Sequence, residues 1–197
     1  MAKHQALAAI GAAIRGLVME RYPRDEFDTL DVQLIQFSDI EKGLAGEGFG
    51  ILLWRVAINL QRRARGPRTD IFGNRFRPSL PVDLSFLIVP YTNDAEKHLR
   101  MLGWVMRALE DAGTLTASQL NHYLQESDVF APEEDVELVC DPLAIGDHLS
   151  MWDRMRKHPP IGAFYLVRMA LLDSDQQIHE YPQVVERDFQ AGAMANG

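Results

Sequence analysis

The chain has 197 residues, 47% of them hydrophobic, and a formal net charge of −8. These values fit one globular domain and argue against a general nucleic-acid binder, whose surface would be basic. The single cysteine, Cys140, excludes an intramolecular disulfide and any multi-cysteine zinc site. With no run of eighteen apolar residues and no apolar signal segment at the N-terminus, we expect a cytoplasmic protein that does not enter a membrane.

The first sixty residues predict one helix and two strands. The helix stops near Tyr22 and Pro23 and carries apolar residues at helical spacing: Leu7, Ile10, Ile14, Leu17 and Val18. The segment LDVQLIQF then alternates as a first strand, and a glycine-rich turn follows it. A second strand has a predicted apolar face made of Leu52, Trp54, Val56, Ile58 and Leu60.

Residues 61–81 show no sustained period and are predicted to be a long loop. Six arginines and two phenylalanines fall within it, opposed only by Asp70. Long loops inside a compact domain are often functional, so we expect a partner-binding segment rather than a plain connection. The candidate interface residues are Arg62, Arg63, Arg65, Arg68, Phe72, Arg75, Phe76 and Arg77.

The next stretch, DLSFLIVPYTNDAEKHLRMLGWVMRALED, predicts a buried strand and a long helix. Alternation makes one strand face wholly apolar, and Pro90 is expected to end the strand because it lacks an N–H group. Asn93 with Glu96 resembles a capping box. The predicted core stripe of the helix is Ala95, Leu99, Leu102, Met106 and Leu109.

The remaining segments complete an α+β pattern. A short helix capped by Thr116 and Gln119 and a strand DVELVC with a buried Cys140 are predicted. A third main helix and a fifth strand GAFYLVRMALLD follow, and the predicted apolar residues of that helix are Ile145, Leu149, Trp152 and Met155. The expected fold is a mixed, mostly antiparallel sheet of about five strands flanked by about three main helices. Residues 1–174 would form one domain, and residues 175–197 a mobile tail.

Acidic residues dominate the second half of the chain. Between Ala108 and Asp153 there are eleven Asp or Glu residues and no Lys or Arg. A solvated surface can show this pattern, but it can equally complement the arginine segment. The candidate acidic counterpart consists of Glu126, Asp128, Glu133, Glu134, Asp135 and Glu137.

No catalytic or cofactor-binding motif stands out. GLAGEGFG lacks the following helix and lysine of a phosphate-binding loop, and the six histidines have no metal-ligand spacing. His148 lies beside Asp147 and near Ser150, but adjacent helical residues point in different directions. We therefore expect no catalytic residue, no cofactor, no metal and no enzymatic activity, although residues distant in sequence can also form an active site.

Several ordered landmarks resemble a known family. They are RPSLPVDLSFLIVPYTNDAEKHLRMLGWVMRALED, then DPLAIGDHLSMWDRM, then YLVRMALLD, after an amphipathic N-terminal helix. Over about residues 5 to 174 the chain resembles the small tube-terminating cap proteins of phage-tail-like contractile injection systems, of the antifeeding-prophage type. It is more distantly similar to the terminator proteins of phage tails.

The resemblance implies a structural protein with a tail-terminator-like domain. Such proteins form a ring, here expected to be a homo-hexamer, that ends the growth of the inner tube and ties the tube to the sheath. The implied partners are other copies of the chain, the inner tube protein and the sheath protein within an injection particle. The alternatives are another adaptor of the same machine, such as a sheath cap or baseplate component, and an enzyme or nucleotide-binding domain.

Overall fold

The computed structural model describes residues 4–62, 66–124, 129–154 and 160–178. Within these ranges a six-stranded sheet has the order β1-β2-β5-β8-β7-β6, and a second sheet pairs β3 with β4. The strands are β1 (Asp31–Ile35), β2 (Gly48–Ile58), β3 (Arg68–Thr69), β4 (Arg75–Phe76), β5 (Leu80–Tyr91), β6 (Thr114–Leu115), β7 (Val136–Cys140) and β8 (Ala163–Leu172). The helices are α1 (Ala6–Arg21), α2 (Arg24–Phe27), α3 (Phe37–Lys42), α4 (Ala95–Ala112), α5 (Ala117–His122) and α6 (Ile145–Arg154).

The predicted fold class is confirmed, because the main sheet is mixed, mostly antiparallel and flanked by helices. One detail of its topology differs. β1 and β2 follow each other in sequence yet run parallel, because α3 lies between them and brings the chain back to the start of β1. A crossover of this kind takes a dozen or so residues, which the glycine-rich segment and α3 together supply.

Apolar residues on both faces of the sheet form two cores. The larger core lies under α1, α4 and α5 and includes Leu84, Phe86 and Ile88 of β5. The smaller core lies on the opposite face, where Leu87 and Val89 pack with residues from α3 and α6. The alternation predicted for β5 is thus confirmed. The predicted end of the strand at Pro90 is wrong, because β5 continues to Tyr91 and Pro90 pairs with Phe49. Proline is accepted in a strand where no backbone N–H donor is needed.

The apolar face predicted for β2 is only half buried. Leu52 is buried, but Val56, Ile58 and Leu60 are 49%, 45% and 72% exposed. A bulge at Trp54 shifts the register against β5, so the later residues no longer share a face with Leu52. β1 pairs with β2 only as far as Leu52, which leaves the outer half of β2 beyond the parallel pair.

The stripe predicted for α4 is also partly wrong. Met101, Val105 and Leu109 are buried, whereas Leu99 is 64% and Met106 is 39% exposed. Two apolar rows with helical spacing run along this helix, and only the contact with β5 and β7 selects the buried one. The helix begins one residue later than predicted, because the carboxylate of Asp94, not Asn93, accepts the N–H groups of Glu96 and Lys97.

Near the end of the chain, two further predictions need correction. Cys140 is exposed rather than buried, because it is the last residue of β7, although partial desolvation still raises the pKa of its thiol. On α6, Ile145 and Leu149 are exposed while Met151 faces the smaller core, and Met155 lies outside the described residues. The capping box of Thr116 and Gln119 at the start of α5 is confirmed.

Candidate assembly interface

The arginine-rich segment continues the central β5–β8 ladder beyond the sheet. At the sheet margin Leu80 pairs with Leu172. Further out, the backbone N–H of Arg77 donates to the carbonyl of Gln176 at 2.9 Å. Much of the predicted long loop is therefore an extension of the two central strands. No local periodicity predicts this extension, because the residues that pair lie about a hundred positions apart in the sequence.

The extension carries a third strand. Phe76 of β4 bridges to Gln177, and the N–H of Ile178 donates to the carbonyl of Arg75 at 2.8 Å. β3 pairs with the other edge of β4. We call residues 66–79 together with residues 173–178 the arm. Residues 176–178 of the predicted tail thus pair within the arm, and residues 179–197 lie outside the described residues.

The outer turn of the arm is held by one carboxylate. Asp70 accepts the N–H groups of Phe72 at 2.9 Å and Asn74 at 2.8 Å, and it also accepts the side-chain amide of Asn74. Gly73 has φ +83°, which favours glycine at this point of the turn. These hydrogen bonds, led by the one from Asn74, hold the pKa of Asp70 below its usual range. The turn presents Ile71 and Phe72, which are 93% and 82% exposed, to solvent.

Inside the arm, Arg68 joins the hairpin to the segment after β8. Its guanidinium lies 4.6 Å from the centre of the Phe76 ring and donates to the carbonyl of Ser174 at 3.3 Å. Its Nε lies 3.6 Å from a carboxylate oxygen of Asp173. Arg68 and Phe76 therefore contact each other and the arm itself, so they contribute to its rigidity as much as to any outer surface.

A polar cluster fixes the base of the arm to the sheet. Asp83 accepts the side-chain amide of Asn59 at 3.1 and 3.2 Å and the N–H of Met169 at 2.9 Å. Opposite Asp83, β8 carries one residue more than β5, and Met169 there has φ 58°, which non-glycine residues rarely adopt. The carboxylate therefore ties β2, β5 and β8 together where the arm leaves the sheet.

The other predicted interface residues occupy different positions. Arg75, in β4 at the centre of the arm, and Arg77 just after it are exposed, and Arg62 ends a short 3-10 turn after β2. Arg63 and Arg65 lie outside the described residues. The sequence prediction did not include Ile71. Its position next to Phe72, between the turn-forming residues Asp70 and Gly73, could have predicted that it is exposed.

The described residues of the candidate acidic counterpart, Glu133, Glu134, Asp135 and Glu137, border one cleft of about 500 Å³. Four carboxylate residues and Arg168 surround it, and its floor is apolar. The lining residues are Thr114, Phe130, Glu133, Glu134, Asp135, Val136, Glu137, Arg168, Met169 and Leu171. We call this the acidic cleft. Glu126 and Asp128, also predicted to belong to the acidic surface, lie outside the described residues.

The four carboxylates make different contacts within the chain. Glu134 accepts the N–H of Ala131 at 2.7 Å, and Asp135 accepts the N–H of Ala117 at the start of α5 at 3.1 Å. Both therefore hold backbone in place. Glu133 is exposed, and Glu137 lies 3.7 Å from Arg168 with about half of its side chain accessible. Glu133 and Glu137 are the carboxylates best placed to meet a partner.

The topology places the arm and the acidic cleft toward the same end of the sheet but on different flanks. The cleft lies on the β7 side of β8, whereas β3 lies on the β2 side of the arm. The chain thus has one basic projection with an apolar tip and one acidic recess with an apolar floor. Surfaces of this kind differ from each other, which is what a head-to-tail contact between identical subunits requires.

The described residues bring together no catalytic constellation. His148 packs edge-on against Trp152 and Phe164, and the hydroxyl of Ser150 donates to the carbonyl of Gly146 at 2.8 Å. Among the described ranges, no group of three or more His, Cys, Asp or Glu residues has a geometry that could hold a metal ion. None of the helices in that part of the chain combines the length and apolarity needed to span a bilayer.

Comparison with known proteins gives a consistent result. The family model described as the Pvc16 N-terminal domain matches residues 9–186. The fold is similar to the PVC sheath/tube terminator of an extracellular contractile injection system in its extended state, with a TM-score of 0.59, 12% identity and coverage of 96% of this chain and 64% of that chain. It is also similar to the anti-feeding prophage cap, the AFP tube terminating cap, with a TM-score of 0.53, 16% identity and coverage of 97% and 62%.

These matches confirm the resemblance inferred from the sequence. At 12% and 16% identity the structural likeness concerns the fold alone. The chain spans less than two thirds of the length of either solved relative. No curated protein sequence matches it significantly.

Proposed function

The chain belongs to the Pvc16 N-terminal domain family, and from that premise we propose that it caps the inner tube of a contractile injection system, ends tube growth and links tube to sheath. The similarity of its fold to two tube terminators over nearly its whole length carries this proposal. The role is structural and needs no catalytic residue. The protein would assemble in the cytoplasm as part of the injection particle.

A tube cap has to bind the last ring of the tube through one surface. Its opposite surface must not bind further copies of the tube protein, so that the tube stops growing. A ring of caps achieves this with modest contacts, because linked contacts that act together reach an avidity that none has alone. We take the ring to be a homo-hexamer whose partners are the inner tube protein and the sheath protein. The sheet, with cores on both faces, provides the rigid body of each subunit.

The arm is the part of the subunit best suited to make contacts in such an assembly. Exposed ion pairs contribute about 0.2–1 kcal/mol each, so the arginines alone do not reach the roughly 8 kcal/mol of micromolar binding. Burial of one phenylalanine adds about 1.5–3 kcal/mol, which favours Phe72 as an anchor. The arginines would then set register and partner choice.

Tube assembly in the presence and absence of the protein tests this function. Purified inner tube protein is polymerised alone, with the wild-type cap, and with an equal amount of an unrelated acidic protein as the control. We expect the cap to shorten the tubes and to appear at one end in electron micrographs. In a deletion strain, we expect tubes of uncontrolled length or particles that lose their sheaths.

Two results would contradict the proposal. Normal tube lengths together with normal sheath retention in the deletion strain would exclude a capping role. Localisation at the baseplate, or only on the outer surface of the sheath, would instead identify a different adaptor of the same machine.

A further inference from the structure

We propose that the tip of the arm, Ile71 and Phe72, docks into the acidic cleft of the neighbouring copy, so that this contact closes the ring. The inference rests on the ring assembly proposed above and names the contact that builds it. The tip is an unusual surface, because two large apolar side chains are presented almost fully to water by a turn whose conformation is already set by Asp70. A preorganised apolar tip loses little conformational entropy on binding.

The acidic cleft has the complementary composition. Phe130 and Val136 are buried in its floor, at 3% exposure each, and Met169 and Leu171 line its wall. Its volume of about 500 Å³ falls within the range of about 300–1,000 Å³ typical of ligand pockets. The cleft thus combines apolar lining residues with carboxylates, which suits an apolar tip flanked by basic residues.

The charges on the two surfaces have opposite signs. Arg75 and Arg77 are exposed on the arm beside the tip, and the cleft carries four carboxylates against the single Arg168. Complementary charges of this kind speed association and reject wrong registers more than they add affinity. The apolar tip would then supply most of the binding, and the charges would select this cleft over other apolar surfaces.

The tip of a subunit does not reach its own cleft. Met169 and Leu171, which line the cleft, precede the arm along β8, and Ile178 pairs near the outer end of the arm. At about 3.3 Å per residue, the paired segment places the tip roughly 20 Å beyond the cleft. Folding back would break the ladder between the hairpin and residues 176–178. The occupant that we propose, matched to the cleft in apolar character and in sign of charge, is therefore the tip of another copy.

Site-directed cross-linking tests the contact directly. Phe72→Cys and Thr114→Cys are made separately in a Cys140→Ser background, mixed in the presence of tubes, and oxidised. We expect a covalent dimer of the two variants on a non-reducing gel. As the matched control, Leu99→Cys, exposed on α4, replaces Thr114→Cys and should give no dimer above background. A chain carrying both Phe72→Cys and Thr114→Cys should give a ladder of oligomers.

Charge reversal gives an independent test that does not depend on the cysteines. Glu133→Lys with Glu137→Lys should weaken ring formation about tenfold or more at low salt, and less at high salt, where charges are screened. Glu41→Lys with Glu110→Lys makes the same change of charge elsewhere and should leave ring formation unchanged. Arg75→Glu with Arg77→Glu should weaken it in the same way, and combining that pair with the cleft reversal should restore part of the loss.

The outcomes separate this contact from the proposed function. Cross-linking of Phe72→Cys to the tube protein, with no dimer through Thr114→Cys, would overturn the inference while leaving the capping role intact. Equal dimer yields from Thr114→Cys and Leu99→Cys would overturn it as well. A specific dimer formed by a protein that fails to shorten tubes would support the contact and contradict the capping role.

Discussion

The two ends of the β5–β8 ladder are held in place by different forces. Inside the sheet, Phe86 and Tyr165 pair across the ladder and are each 1% exposed in the larger core, and Leu87 and Phe164 pack in the smaller core on the other face. In the arm the same two strands continue with almost no core, and backbone hydrogen bonds together with single side-chain contacts of Asp83, Arg68 and Asp70 hold them. We expect fold stability and the proposed assembly to depend on different residues of one pair of strands. Substitutions can therefore separate the two properties.

The largest effect is expected from Phe86→Ala. Phe86 is fully buried in the larger core, and removal of such a ring costs about 3–5 kcal/mol of unfolding free energy. At about 2–4 °C per kcal/mol for a chain of this size, thermal unfolding should occur roughly 6–20 °C lower. Circular dichroism melting measures this shift. An unchanged melting temperature would contradict the burial of the central ladder.

A smaller effect is expected from Asp83→Ala at the junction of sheet and arm. The substitution leaves the N–H of Met169 and the amide of Asn59 without their acceptor, which costs about 1–3 kcal/mol. The substitution should increase the rate of amide hydrogen exchange more in residues 68–79 than in residues 84–89. Asp83→Asn, which keeps a carbonyl acceptor, is the matched control and should cost less. Uniformly faster exchange would mean that the arm does not depend on this junction.

Acid should loosen the turn at the tip without unfolding the sheet. Hydrogen bonds to the ionised carboxylate hold the pKa of Asp70 below its ordinary 3.8. The ionised carboxylate of Asp70 therefore stabilises the turn fully at a pH above its pKa in the unfolded chain. This stabilisation is lost as the pH falls through the lower pKa of Asp70 in the folded chain. Amide chemical shifts of Phe72 and Asn74 followed from pH 7 to pH 2 measure the change. Asp70→Asn should abolish this titration, and a midpoint above 3.8 would contradict the hydrogen-bonded turn.

The smallest effect on stability is expected from Phe72→Ala. Because Phe72 is 82% exposed, its removal should change the free energy of unfolding by no more than about 0.5 kcal/mol. Chemical denaturation of the isolated subunit measures this difference, and ring formation by the same sample measures the assembly effect. A large loss of stability would show that Phe72 packs within the subunit, and the contrast between sheet and arm would then fail.

Local patterning was sufficient to predict much of the fold. Alternation in β5 and β8 and the helical period of α1 reflect burial that neighbouring residues share, so a short window of sequence records it. The α+β class and the resemblance to tube terminators followed from those elements in order. Arg75, Arg77 and Phe72 were also singled out as candidate interface residues, because charge and aromatic residues stood out in a segment without a period, and the structure leaves all three exposed.

Only the tertiary structure decided how these elements are used. Packing against β5 and β7 selected Met101 and Val105 over the second apolar row of α4, and the end of β7 left Cys140 exposed. The arm required pairing between residues about one hundred positions apart, and the acidic cleft combines β6, β7 and β8. Such long-range pairings leave no period in the local sequence, since each strand records only which of its faces is apolar and not which partner lies beside it.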